Sequence, residues 1–226
     1  MSGINPPPRH TTPFIHRLIK AIALIIIKLV ARVDLKGLEH ILPNGPMVVV
    51  TNHLSSFDTL SIIALAPVRR ATAFGAIEHR SDFIAGWALD RLGIIWVRRG
   101  EADREAIKIA LDELKDGTAL GLAIEGTRSR TGGLQAGKTG AAYLATRAHA
   151  PVLPMAVWGT EQVVKNLKRF RRSEVHIRVG PLIHLPEGRA NTTQLEAYTD
   201  QIMLTIAAML PPEYRGVYRE RVKDEG

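Results

Sequence analysis

Apolar side chains along the chain repeat with two alternating periods. Between 14 and 33, Phe14, Ile15, Leu18, Ile19, Ile22, Ile25, Ile26, Leu29 and Val33 recur at steps of three and four, with Arg17, Lys20, Lys28 and Arg32 on the other side. That spacing predicts an amphipathic helix over 14–33. Leu24 and Ile27 interrupt the cationic side, so the middle turns are apolar nearly all round. Residues 33–36 alternate like a short half-buried strand, and Pro43-Asn44-Gly45-Pro46 reads as a turn. Apolar runs predict buried strands over 47–51, 93–97, 118–124 and 152–158, with further strands at 71–76 and 174–179. Helical patterns over 56–66, 83–92, 101–116, 138–148 and 193–210 fall among them. Pro154, inside one of the runs, predicts an edge position or a bulge there. Strands alternating with helices predict an α/β fold, a single domain with a central mixed, largely parallel sheet flanked by helices.

With 226 residues and 46% hydrophobic content, the chain is long enough for one sizeable core. The expected organisation is a lead and amphipathic helix over 1–33, an α/β domain over 34–212 and a charged, frayed tail over 213–226. Residues 1–13 are rich in Pro, Gly and Thr and are expected to be poorly ordered. The absence of cysteine excludes disulfides, thiolate nucleophiles and cysteine-ligated metal.

The formal net charge of +8 is unevenly placed, because Arg9, Arg17, Lys20, Lys28 and Arg32 lie within residues 1–33 and no acid does. The longest uninterrupted apolar run there, 21–27, is far short of the roughly 18 to 20 residues that a membrane span needs. A cationic helix with a broad aliphatic face fits one lying in the bilayer interface, drawn by anionic headgroups. The same pattern also fits a helix packed on the core with solvated lysines. A second basic cluster, Lys165, Lys168, Arg169, Arg171 and Arg172 around Phe170, reads as a solvated loop unless it faces the same membrane as the first helix.

Polar clusters follow three of the apolar runs. Asn52-His53-Leu54-Ser55-Ser56-Phe57-Asp58 comes directly after the run at 47–51. Positions five apart on a helix point away from each other, so His53 and Asp58 meet only if the histidine precedes the helix and the aspartate lies in its first turn. A histidine held by a carboxylate at one ring nitrogen keeps the other as a base. Ser55-x-x-Asp58 is also a capping-box pattern, in which Asp58 satisfies backbone donors and His53 is a turn residue. Arg98-Arg99 follows the run at 93–97, and Glu125-Gly126-Thr127-Arg128-Ser129-Arg130 follows that at 118–124. Guanidinium groups match phosphate oxygens in two-pronged geometry, so arginines at two strand ends near a histidine suggest a phosphorylated substrate. Gly132-x-x-x-x-Gly137-Lys138-Thr139 has the letters of a nucleotide-binding phosphate loop. It starts too far from its strand, and no apolar strand ends in a magnesium-binding aspartate.

Asn52-His53-x-x-x-x-Asp58, Gly93-Ile94-Ile95-Trp96-Val97-Arg98-Arg99, Glu125-Gly126-Thr127-Arg128-Ser129 and Val152-Leu153-Pro154-Met155-Ala156-Val157 come in the order of the four motif blocks of the glycerophospholipid acyltransferases. From about 33 to about 186 the chain resembles the lysophosphatidic acid acyltransferase branch. Arg98 departs from the family, which often has an acidic residue there, while Arg99 matches. The resemblance implies that His53 is the general base for a glycerol hydroxyl and that Asp58 stabilises its imidazolium form. It implies that Arg99, Glu125, Gly126, Thr127, Arg128 and Ser129 bind the acceptor, with the arginines on its phosphate. It further implies transfer of an acyl group from acyl-CoA or acyl carrier protein, a co-substrate, to lysophosphatidic acid in phospholipid biosynthesis. No metal or other cofactor is expected, and no nucleic acid. The expected place is the cytoplasmic face of a membrane, held by residues 14–33 as a peripheral or monotopic protein. Other acceptors, lyso-lipid or glycolipid, fit the same motifs. A non-catalytic basic protein binding membrane or nucleic acid is the rival of another class, and it has no need of the His53–Asp58 pair.

Overall fold

The computed structural model describes residues 13–65, 70–98 and 103–222. The expected disorder of the lead and the expected role of Arg99 fall on residues outside that set. In its first half the chain forms α1 (Pro13–Val30), β1 (Ala31–Lys36), β2 (Met47–Thr51), α2 (Ser56–Leu65), β3 (Ala71–Ala76), α3 (Phe83–Arg91) and β4 (Ile95–Val97). There follow α4 (Arg104–Lys115), β5 (Ala119–Ala123), α5 (Gly140–Ala148), β6 (Val152–Trp158), α6 (Val163–Leu167), β7 (Ser173–Val179) and α7 (Thr192–Met209). One mixed sheet takes the order β1-β7-β6-β2-β5-β3-β4. Every pairing is parallel except β6 with β7.

The sheet is buried on both faces, which is why its central strands read as continuous apolar runs. Side chains alternate across it with the strand period. Val48 and Val50 of β2, with Val152 and Ala156 of β6, enter a core closed by Ala106, Leu114, Leu144, Ile202 and Ile206 of α4, α5 and α7. Met47, Leu153, Met155 and Val157 point the other way, toward Phe57 and Ile62 of α2 and Val163 of α6. A slip of one residue in β2 would exchange the two sets.

Two expectations are corrected here. The first helix ends at Val30 rather than at 33, because Ala31 to Lys36 pair in register with Ser173 to Arg178. A partner strand that far along the chain overrides the helical spacing of Arg32 and Val33. Pro154 sits in an interior strand, with Val50 as its β2 partner. Its carbonyl faces the β7 side and accepts from the Gly180 N–H at 2.9 Å. The missing N–H faces the same side, opposite Gly180 and just past the end of β7 at Val179.

The segment after α7, expected as a frayed tail over 213–226, is packed as far as it is described, and 223–226 lie outside the described residues. Residues 212–221 form two 3-10 helices, and Tyr218 is buried. The Tyr214 carbonyl accepts from Leu134 N–H, and the Tyr218 hydroxyl accepts from Gly137 N–H, so this segment clasps the loop between β5 and α5.

Candidate active site

Three adjacent parallel strands, β6, β2 and β5, deliver their carboxyl ends side by side. The residues that follow them converge there, in the place where open α/β sheets gather ligands.

β2 ends at Thr51, and Asn52 extends its ladder with a side chain. The Asn52 amide donates to the Val157 carbonyl and accepts from the Val157 N–H, both at 2.8 Å. A buried primary amide thereby stands in for a peptide group and fixes the direction in which the chain leaves the strand. His53 follows, its carbonyl accepting from Ser129 N–H at 2.8 Å and its N–H donating to Glu125 Oε1 at 3.0 Å. The histidine backbone is therefore held on both sides by the strand end of β5.

The histidine and the aspartate meet as the motif requires. His53 Nδ1 lies 2.9 Å from Asp58 Oδ2. The same oxygen accepts from Leu54 N–H at 2.6 Å and from Ser55 N–H at 2.8 Å. The contact that the catalytic reading needs and those of the capping reading are both made by one carboxylate, for Asp58 reaches back to close the start of α2 while it holds the imidazole. Ser55 Oγ completes the cap by accepting from Phe57 N–H at 3.1 Å. Asp58 is only 1% exposed, and its other oxygen accepts from the Thr160 hydroxyl. A carboxylate so enclosed needs donors on both oxygens to offset its lost hydration. Because the carboxylate can only accept, the proton sits on Nδ1 and Nε2 is left as the acceptor. The His53 side chain keeps 18% of its surface open to solvent.

Glu125 was expected among the acceptor-binding residues, and the structure places it beneath the histidine. Its second oxygen accepts from Gln135 N–H at 2.9 Å and from the Gln135 side-chain amide at 3.2 Å. Both oxygens are thus engaged within the protein. Burial pushes its carboxyl above the usual glutamate range, against the opposing effect of the Gln135 and His53 donors. Gly126 then turns the chain at φ +70°, a conformation that a side chain would strain. Thr127 and Arg128 follow on the exposed surface, while the buried Ser129 donates its hydroxyl to the Gly133 carbonyl at 2.7 Å. Arg128 leans toward the start of α2, with Nη1 3.4 Å from Ser56 Oγ. It brings a cation to the rim beside His53. Arg98 is exposed at the end of β4. That strand lies three places from β2, roughly 14 Å away at about 4.8 Å per strand.

Thr160, Asn52 and Gln135 complete this arrangement, and sequence reasoning gave none of them a role. Thr160 stands just past the fourth motif block, where Gly159 at φ +85° turns the chain so tightly that a Cβ would lie 2.1 Å from the Glu174 carbonyl oxygen. A glycine followed by a hydroxyl residue at that strand end was the available signal. The letters of the phosphate loop prove incidental, since β5 ends at Ala123 and Gly132 comes well after it. Among the described residues no cluster of His, Asp and Glu is arranged to hold a metal ion.

α1 docks on the domain by its narrow side and leaves outside the broad aliphatic face that the interfacial reading assigned to the bilayer. Ala23 and Ile27, with Leu24 beside them, pack against Ala64, Phe57, Leu60 and Ile63. The intruders on the cationic side are therefore the residues that dock the helix on α2. Lys20 shares that side, and partial burial holds its amine below the usual lysine range. The aliphatic stripe, Phe14, Leu18, Ile22, Ile25, Ile26 and Leu29, is exposed. α3, which also touches α1, exposes Phe83, Ile84 and Trp87. No helix among the described residues is long and apolar enough to cross a membrane.

The comparisons with known proteins point to one family. A model of the family described as Acyltransferase matches residues 32–158, which take in the ends of β2, β5 and β6. The human protein named 1-acyl-sn-glycerol-3-phosphate acyltransferase alpha is 29% identical over 192 residues, covering 82% of this chain and 67% of its own length. A chloroplastic 1-acyl-sn-glycerol-3-phosphate acyltransferase of Brassica napus, named BAT2, is 28% identical over 185 residues, which are 79% of this chain and 52% of that protein. In fold, the chain is similar to the crystal structure of the 1-acyl-sn-glycerophosphate (LPA) acyltransferase PlsC from Thermotoga maritima. The TM-score is 0.68 and the identity 24%, with 93% of this chain and 81% of that one covered.

Proposed function

The chain belongs to the Acyltransferase family, and on that premise we propose that it moves a fatty acyl group from a thioester of coenzyme A or acyl carrier protein to the free hydroxyl of lysophosphatidic acid. The observation that carries this reading is the His53 imidazole, tied through Nδ1 to a buried carboxylate and partly open to solvent. Nε2 takes the proton of the acceptor hydroxyl as the oxygen attacks the thioester carbonyl carbon. Asp58 stabilises the imidazolium that forms. The carbon–sulfur bond then breaks, the departing thiolate receives that proton, and the ester product leaves. No covalent acyl-enzyme is needed, which accords with a His53 ring bonded to Asp58 and a Ser55 hydroxyl engaged by the Phe57 N–H. Arg128 on the rim supplies a cation for the acceptor's phosphate, and the motif match adds Arg99.

The exposed aliphatic stripe of α1, joined by the apolar surface of α3, supports a seat on the bilayer where such an acceptor resides. The helix docks on α2 by its narrow side and leaves the broad side uncovered. We expect a protein lying on the membrane surface rather than crossing it.

Lipid mass analysis tests the reaction directly. Purified protein given lysophosphatidic acid and acyl-CoA, or acyl carrier protein charged with a fatty acid, should form phosphatidic acid. No such product with either donor would overturn the reading of the acceptor. Acylation of a different lyso-lipid in the same assay would keep the family chemistry and replace the substrate.

A further inference from the structure

We infer that the α6–β7 loop is a second membrane contact, a cationic finger that seats Phe170 in the surface of an anionic bilayer beside the C-terminal end of α1. This rests on the proposed seat of the protein on a bilayer and adds to it a part of the chain separate from α1.

Phe170 is 99% exposed. It lies at φ 54° just past α6, where the Arg171 N–H turns back to the Asn166 carbonyl at 2.9 Å. Glycine is the usual residue at such a helix end, because a side chain is strained in that conformation. An aromatic ring here gains nothing from the fold, since it touches no core. Val164 and Leu167, at helical spacing before it, are also exposed, so the three form a short apolar row.

Lys165, Lys168, Arg169 and Arg171 surround that row, all exposed. None of the four has an ion-pair partner among the described residues, and no acid occurs between 163 and 173. An acidic protein or a free polyanion would use the cations and leave the phenyl ring in water. A bilayer with anionic headgroups takes both, with the ring at the interfacial level and the cations among the phosphates.

The position of the finger links it to the first helix and to the chemistry. Arg172 Nη2 donates to the carbonyl of Ala31, the residue directly after α1, at 2.5 Å. Ala31 and Ser173 are register partners at the start of β1 and β7. α6 itself begins three residues after Thr160, which bonds Asp58. Its Val163 shares a core cluster with Phe57, the neighbour of Asp58. Both contacts therefore adjoin α2, and seating both brings the His53 end of the sheet to the lipid surface.

The test is sedimentation of the full chain with vesicles of equal parts phosphatidylglycerol and phosphatidylcholine. Phe170→Gly relieves the backbone, so its Tm should equal or exceed the parent's while its vesicle binding falls. Arg169→Gln with Arg171→Gln should weaken partition by about thirtyfold, given the usual contribution of each cation near such a surface. A parallel pair, Ile22→Gln with Ile25→Gln, reads α1 alone. If the α1 pair loses binding and both loop variants sediment as the parent does, the finger is overturned and the α1 reading stands. If the loop variants lose binding and the α1 pair does not, the finger stands and the α1 reading fails. Normal vesicle binding by the loop variants, with a raised KM for a soluble acyl thioester, would assign the cations to the donor and overturn the proposal.

Discussion

The Thr160 hydroxyl donates to Asp58 from 102 residues further along the chain, across the gap between the ends of β6 and β2. Through that bond the carboxylate that holds His53 is itself held by a separate strand end. Thr160 is a positioning residue, and its effect should pass through Asp58. Thr160→Val removes the donor at nearly constant volume and leaves a buried lone pair unpaired, at a cost of about 1–3 kcal/mol in stability. kcat should fall while the KM for both substrates stays near the parent's, and Thr160→Ser should restore it. A valine variant with parental kcat would remove Thr160 from the site.

His53→Ala deletes the proposed base. General-base catalysis is worth about 10²–10⁴-fold, so turnover should fall by that much. The fold should survive, because the backbone contacts of His53 to Glu125 and Ser129 do not need the imidazole. Circular dichroism and the rate of acyl transfer together decide the matter, and near-parental turnover by a folded variant would end the mechanism.

Arg128→Ala should weaken use of the phosphorylated acceptor by about 1.5–3 kcal/mol, the range of a charge-assisted hydrogen bond. Kinetics with lysophosphatidic acid and with monoacylglycerol separate two roles. A loss confined to the phosphate-bearing acceptor supports phosphate binding, whereas equal losses would assign Arg128 to holding the start of α2 through Ser56.

Glu125 should make the protein's stability depend on pH. Burial raises its folded-state pKa, so the folded chain holds a proton that the unfolded chain has already released. Between the ordinary glutamate value and the raised one, stability therefore falls as pH rises. Urea unfolding across that window should show the decline in the parent and a flatter profile in Glu125→Gln. The variant should also lose activity, since its amide turns one N–H₂ group toward donors from His53 or Gln135.

Ile22→Gln with Ile25→Gln should detach the protein from vesicles and leave folding nearly unchanged. Both side chains are exposed, and substitutions at such positions typically shift stability by no more than about 0.5 kcal/mol. Activity on vesicle-borne substrate should drop, and activity on detergent-dispersed substrate should remain. Lys28 is exposed, so Lys28→Glu should weaken vesicle binding, whereas Lys20 is partly buried and its reversal should weaken it less.

By itself the sequence determined the strands, because a sheet covered on both faces demands unbroken apolar runs, and 47–51, 118–124 and 152–158 have them. It also determined the pairing of His53 with Asp58, for the two lie five positions apart across one strand-to-helix turn and local geometry alone brings them together. Tertiary structure decided what distant strand ends do to that pair. Thr160, Gln135 and Val157 reach the site only because β5 and β6 flank β2, an adjacency that no local spacing encodes. The same kind of adjacency set the Glu125 carboxylate against the His53 backbone, and ended α1 at Val30 where β7 offered Ala31 a partner. On α1 the sequence supplied a broad and a narrow apolar side, and the small surface of α2 decided the rest. Ala23, Leu24 and Ile27 fit against α2, so the broad stripe stayed outside.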